Sequence, residues 1–287
     1  MYEGVYAPIP DAGAFLARLG LDPDDYRKSL HPELPDSPSP FSAPHVKESL
    51  DKLVEAHLMT VPFETLDIFD LHKEVSLEIP ALFEKIVVKR RGGFCFEVNA
   101  LFMALLEALG FKCTPVAVRV LFEGDFPTTG HRSTIVTLPD GTRCVCDVGF
   151  GGPTPLGATY LDCTEVQNSG KLSFRFEHRE DGLYRFVQVL DNGEIFPLLL
   201  FSDREYPVID FIALSVYMSR GDTARFNNER VLNLLRPQGS AAMINDTLRL
   251  HDNGVLTELE LSTPEERKAA YVKYFGIPAE SLTEIPG

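Results

Sequence analysis

No run of the chain approaches the ~18 to 20 uninterrupted apolar residues that a membrane span requires. The N-terminus, MYEGVYAPIPDAGAFLARLG, lacks the basic start and unbroken apolar stretch of a secretory leader. Both absences lead us to expect a soluble, cytoplasmic protein that does not associate with membranes. Cysteine is scarce and odd in number, five residues at 95, 113, 144, 146 and 163. That is no disulfide framework, and it suits free thiols in a reducing compartment. The single C-x-C at Cys144 and Cys146 has no second ligand pair at a useful spacing, so no metal is expected. Positive charge is in deficit, with 27 Lys and Arg against 42 Asp and Glu, a formal net charge of −15. A surface of that sign repels a phosphate backbone and argues against nucleic acid, while still permitting a small anionic ligand held by local cations. Internal repeats, long low-complexity tracts and a glycine-rich phosphate loop of the nucleotide type are also missing.

What is present suffices for a substantial core: 287 residues, 44% of them hydrophobic, about right for one elaborate domain or two to three interlocked ones. The first part reads as helical. Asp11 can cap a helix through Leu19 that Gly20 stops, and Ser42 and Pro44 make a helix start after the proline-rich connection at 31–44. Leu50, Leu53, Val54 and His57 then recur at helical spacing. SLEIPALFEKIVVKRRGG predicts a helix ended by its two glycines, and Val98, Leu101, Phe102, Leu105 and Leu109 predict another over 94–109. From 112 the period falls to two. TPVAVRVLF, RSTIVTL, TRCVCDVGF, KLSFRFEHR and LYRFVQVLD are short strands divided by PDG, EDG and DNG turns, consistent with a small barrel or curled sheet. After 207 the pattern is mixed: a helix in VIDFIALSVYMS, a hairpin in DTLRLHDNG with the strand after it, and a capped terminal helix in STPEERKAAYVKYFG. The order predicts an α+β fold in three parts, 1–110 helical, 111–206 antiparallel β, and 207–287 α/β.

Chemistry concentrates on KRRGGFCFEVNALF, residues 89–102. Cys95 falls in the first turn of a helix, where unpaired backbone N–H groups favour a thiolate. A nucleophilic cysteine needs a base, and the base needs an orienting group. Among seven histidines, His57 lies on an apolar stripe and reads as a core residue, whereas His131 opens a strand that turns at LPDG. A type I turn with Gly141 in the left-handed position makes a three-residue loop and pairs Leu138 with Thr142. Counting back from it, Ser133 faces Asp147 and His131 faces Gly149. His131 and Asp147 then share one face as diagonal neighbours; a two-residue turn would separate them. Asp147 lies among apolar residues, where a carboxylate is costly unless paired, and a histidine N–H is an adequate partner.

VPFETLDI (61–68), RRGGFCFEVNALF (90–102), HRSTIVTL (131–138) and DVGFGG (147–152), in that order, resemble the arylamine N-acetyltransferases. The resemblance implies a helical bundle, an antiparallel β-barrel and an α/β lid around a cysteine-protease-like Cys-His-Asp core. It implies Cys95 as nucleophile with His131 and Asp147, Phe150 and Gly151 at the acceptor pocket, and a supporting ion pair between Glu64 and Arg91. It places Thr129, Gly130 and Tyr217 where relatives contact coenzyme A. It further implies ping-pong transfer of an acyl group, acetyl first and propionyl or malonyl as alternatives. The donor is acyl-coenzyme A, the co-substrate, and the acceptor a small aromatic amine, arylhydroxylamine or hydrazine; the protein would be a monomer or weak homo-oligomer. The residues alone also admit a cysteine hydrolase or a transglutaminase-like amidase, and the resemblance admits an amide synthase of the same fold. The chain departs from the family's usual pattern at Thr65, in place of an asparagine, and around Tyr217.

Overall fold

A computed structural model describes residues 2–26, 46–121 and 128–286; the connection at 31–44, the helix start expected at Ser42 and Pro44, and Phe122 of the first expected strand lie outside these. Asp11 accepts a hydrogen bond from Ala14 N at 2.8 Å and caps helix α1 (Ala12–Arg18). Helix α2 (Val46–Thr60) buries Leu50, Leu53, Val54 and His57 on one stripe. A two-residue strand β1 (Phe63–Glu64), a short helix α3 (Leu66–Phe69) and helix α4 (Ile79–Phe83) follow, α4 running on into a π-helical turn at Glu84–Val88. Helix α5 (Cys95–Ala108) is the hub. Every residue from Cys95 to Leu106 is buried, more than a stripe, because other helices pack on one side of it and Val136, Cys144 and Cys146 of the β part on another.

The two glycines do not end a helix, contrary to the sequence expectation. Helical bonding stops at Lys89, and Arg90 makes the reversal at φ 53°. Gly92 and Gly93 serve close approach instead: a Cβ on Gly92 would lie 1.9 Å from the Pro62 carbonyl oxygen, and one on Gly93 2.8 Å from the Glu97 side chain. With no side chain in the way, Glu64 N donates to Gly93 O at 3.0 Å, locking the approach to Cys95 against residues 62–64.

Eight antiparallel strands follow: β2 (Lys112–Val120), β3 (Thr129–Thr137), β4 (Arg143–Cys146), β5 (Thr159–Tyr160), β6 (Gln167–Ser169), β7 (Leu172–His178), β8 (Tyr184–Val189) and β9 (Ile195–Phe201). Their order is β5-β4-β3-β2-β9-β8-β7-β6. The outer strands are drawn together by Gln167, whose amide accepts from Tyr160 N at 2.7 Å and donates to Tyr160 O at 2.8 Å. The sheet thereby curls into a nearly closed barrel around Phe174, Phe176, Phe186 and Phe201. Strand β9 was not expected from IFPLLLF. Its Pro197 sits where the β8–β9 register shifts, the kind of irregularity that tolerates a proline.

The last part holds α6 (Phe211–Arg220), α7 (Arg225–Asn228), strands β10 (Val231–Arg236), β11 (Gly239–Ile244), β12 (Thr247–Asp252) and β13 (Val255–Glu260), and α8 (Pro264–Phe275). Thr263 and Glu266 cap α8, and Gly276 ends it at φ 66°. The hairpin β10–β11 was not read from VLNLLRPQGSAAMI. Its sheet has the order β1-β10-β11-β12-β13, so a strand from the helical part forms one edge. Thr65, the departure from the family pattern, secures that junction: its Oγ1 accepts from Val231 N at 2.9 Å while its own N donates to Val231 O at 3.1 Å.

Candidate active site

The β3–β4 hairpin has the expected register. Leu138 N donates to Thr142 O at 2.8 Å, Gly141 takes φ 89°, and Thr137, Val136 and Thr134 pair with Arg143, Cys144 and Cys146. Side chains alternate along a strand, so His131 and Asp147 emerge on one face. His131 Nε2 lies 2.5 Å from Asp147 Oδ2. Cys144 and Cys146 emerge on the other face and pack into the helical core, with burial raising both thiols' pKa, that of Cys144 to about 12.

Cys95 is the first residue of α5, 3% exposed, with Sγ 3.7 Å from the carbonyl oxygen of Gly130. Helix start and strand meet because Gly149 has no side chain: a Cβ there would lie 3.0 Å from Cys95 Cα and 2.7 Å from Val98 Cγ2. Burial alone would lower the His131 pKa; the Asp147 carboxylate, with the neighbouring Cys95 adding to it, raises it instead to about 10. Asp147 is held below the usual carboxylate range against its own burial, chiefly by His131 and then by Asn99 and the Gly149 N–H.

Asn99 escaped the sequence reading. It lies one helical turn after Cys95 on the same face, and that i, i+4 spacing was the available signal. Its Nδ2 donates to Asp147 Oδ1 at 3.1 Å and to Arg132 O at 2.7 Å, while its Oδ1 accepts from Val148 N at 3.0 Å. One side chain therefore ties the helix that begins at Cys95 to strand β3 and to the residues that follow β4.

The expected pair of Glu64 and Arg91 forms, with Arg91 Nη2 2.7 Å from Glu64 Oε1, inside a larger network. Arg91 also reaches Asp67 at 3.0 Å, and Lys85 bridges Asp67 and Glu97 at 2.8 Å each. Glu97 Oε2 in turn accepts from Phe94 N at 3.0 Å, fixing the first turn of α5. Burial drives the Glu97 pKa up to about 7 against the pull of Lys85. Lys89 and Arg90, the other two cations of the motif, are exposed, and neither lines the cavity beside Cys95.

Cys95 and His131 open into a cavity of ≈ 360 Å³ whose walls include Gly130, Phe150 and Gly151, together with Phe63, Met218, Phe226, Asn233 and Ala242. Phe150 meets the His131 ring edge-on, centroids 5.8 Å apart. Asn233 Nδ2 donates to Gly151 O at 3.1 Å, holding that glycine at φ 71°. Thr129 and Tyr217 are not among the lining residues; Tyr217 is 46% exposed on α6, and its neighbour Met218 faces the cavity instead. Phe94 and Phe96 are fully buried in an aromatic cluster with Phe211 and Phe226. His57 is packed edge-on against Phe15 and Phe102 with its pKa pushed down to about 3 by burial, a core residue as read. Among the described residues no group of three or more metal-ligating side chains forms, and no helix is long and apolar enough to cross a membrane.

A cysteine at a helix start, a histidine and a buried carboxylate beside a mostly apolar cavity are the groups that cysteine acyl transfer requires. The N-acetyltransferase family model matches residues 48–283, and the chain belongs to that family, as a member of the arylamine N-acetyltransferases. It is 30% identical to the arylamine N-acetyltransferase of Mycobacterium tuberculosis over 82% of this chain and 84% of the relative. The solved arylamine N-acetyltransferase of M. smegmatis superposes with a TM-score of 0.81 at 29% identity, covering 96% of this chain and 95% of that one. A Mycobacterium marinum relative, solved in complex with CoA, shares the fold at a TM-score of 0.79 and 24% identity over 95% of this chain and 97% of that one.

Proposed function

We propose that this protein transfers an acetyl group from acetyl-coenzyme A to the nitrogen of a small arylamine, arylhydroxylamine or hydrazine, through an acyl-cysteine. The observation that carries the reading is that Cys95 and His131 line one mostly apolar cavity of ≈ 360 Å³, with Asp147 Oδ2 2.5 Å from His131 Nε2. Cys95 thiolate attacks the thioester carbonyl, and the tetrahedral intermediate expels the coenzyme A thiolate, which takes a proton from the His131 imidazolium. The step exchanges one thioester for another. The amine nitrogen then attacks the acyl-cysteine, His131 accepts its proton, and collapse restores the Cys95 thiolate. Asp147 holds the ring orientation and stabilises its cation throughout. Phe150 offers a flat acceptor an apolar surface beside the reacting sulfur.

The cavity's size favours a single-ring acceptor over the large precursor an amide synthase would close. Residue 152 is glycine, so that position offers no cation to a malonyl carboxylate, which supports acetyl as donor. The CoA held by the M. marinum relative supports coenzyme A as carrier. Five unpaired cysteines support action in a reducing compartment such as the cytoplasm.

The test is release of free thiol from acetyl-, propionyl- and malonyl-coenzyme A, each with a panel of anilines, 2-aminophenol and a hydrazide. Acetyl-coenzyme A with an aniline should be turned over, the isolated half-reaction should leave an acetyl adduct on Cys95, and Cys95→Ala should lose at least about 10³-fold. Full activity in Cys95→Ala would refute the mechanism.

A further inference from the structure

A second cavity, of ≈ 350 Å³, opens between the first residues of the chain, α5 and the segment at 205–208. It lies behind the catalytic strand. Because side chains alternate on β3, Arg132 points away from the face that carries His131, and it lines this cavity. Arg132 is 3% exposed. Among the described residues no carboxylate lies within ion-pair distance of it, and its Nε has no hydrogen-bond partner. Its Nη2 has only the Met103 sulfur, at 3.6 Å, and its guanidinium lies 4.6 Å over the Phe211 ring. A buried guanidinium with no ion-pair partner is costly, and the carboxylate that acts on it, Glu107, does so from beyond ion-pair distance. Burial lowers its pKa only to about 10, so the group is charged near neutrality.

The rest of the lining says what the counter-charge is attached to. Val5, Ile79, Ala100 and Ala104 supply apolar wall, whereas Glu107 and Glu205 are carboxylates exposed to solvent. A single anionic group is wanted at Arg132, a hydrocarbon body along the wall, and no second negative charge near the two carboxylates. We propose that this cavity is a binding site, separate from the Cys95 cavity, for a small monocarboxylate with an aliphatic or aromatic body, its carboxylate paired bidentately with Arg132. Polyanions, coenzyme A included, are excluded by Glu107 and Glu205. The occupant bears on catalysis through the backbone, since the Arg132 carbonyl accepts from the same Asn99 that holds Asp147.

The test uses the full chain with benzoate and hexanoate, ionic strength being held with sulfate. Each should raise Tm saturably, by about 5 °C at a hundredfold excess over Kd, terephthalate should bind far more weakly, and Arg132→Met should abolish the rise. Glu107→Gln with Glu205→Gln should recover terephthalate binding. A crystal soaked in 4-bromobenzoate should show a bromine anomalous peak in this cavity, a readout that stands even if Arg132→Met fails to fold. The proposal is overturned by a flat Tm, by an undiminished rise in Arg132→Met, or by bromine found only beside Cys95.

Discussion

The proton held by His131 answers to burial and to two neighbours, Asp147 and Cys95, and its pKa reports the balance. Its folded pKa, about 10, lies above the ~6.5 of a free imidazole. The stability it contributes is therefore complete below pH ~6.5 and is lost as pH rises through about 10. Asp147 has the opposite sign: its folded pKa is depressed, so its contribution is present above the unfolded value near ~3.9 and is lost as pH falls through the folded one. Tm measured from pH 3 to 11 should show a plateau between about pH 4 and pH 6.5, falling on either side, with both flanks flattened in Asp147→Asn. The same variant leaves His131 without its anionic partner and hands Asn99 an amide in place of one acceptor, so kcat/KM should fall by about 10³- to 10⁴-fold. Cys95, His131 and Asp147 were legible in the sequence because each is chemically distinct and their register follows from a turn count. Asn99 was not, because an asparagine inside an apolar helix announces no role until its three hydrogen bonds are seen.

At the scale of elements, the site exists because a helix start is pressed against a strand end. Gly149 is the contact point, and Gly149→Ala would drive a methyl to 2.7 Å from Val98 Cγ2 and 3.0 Å from Cys95 Cα. Overpacking of this kind costs about 1 to 3 kcal/mol, and on the proposed mechanism displacing Cys95 by roughly 1 Å costs about 10²-fold in rate. Urea unfolding and acetyl-transfer kinetics on the variant should show both losses, the kinetic one in kcat more than in substrate binding. The glycines of KRRGGFCFEVNALF were visible as a signal, and their role was misread for a physical reason. A glycine pair is as compatible with a helix stop as with close approach, and only the position of Pro62 distinguishes the two.

At the scale of the molecule, the parts are held by joints between residues far apart in sequence. Arg230, 8% exposed at its side chain, lies 2.5 Å from Asp70, 3% exposed, and so fastens the start of β10 to the residue after α3. Arg230→Met strands a buried carboxylate, and the cost should be about 3 to 5 kcal/mol by urea unfolding. Asp70→Asn added to it should recover part of that, since the penalty is the unpaired charge rather than the lost pair. Because Asn233 and Ala242 of the same sheet line the cavity, the single variant should also raise KM for the arylamine.

By itself the sequence determined the α+β order, the place of Cys95 at a helix start, and the face shared by His131 and Asp147, because periodicity and turn length are local properties of a covalent chain. Tertiary structure alone decided that β1 joins a sheet whose other strands begin at residue 231, that Met218 rather than Tyr217 faces the cavity beside Cys95, and that Arg132 is buried with no ion-pair partner among the described residues. Those outcomes depend on which surfaces meet, and which buried charges find partners, once distant segments pack together.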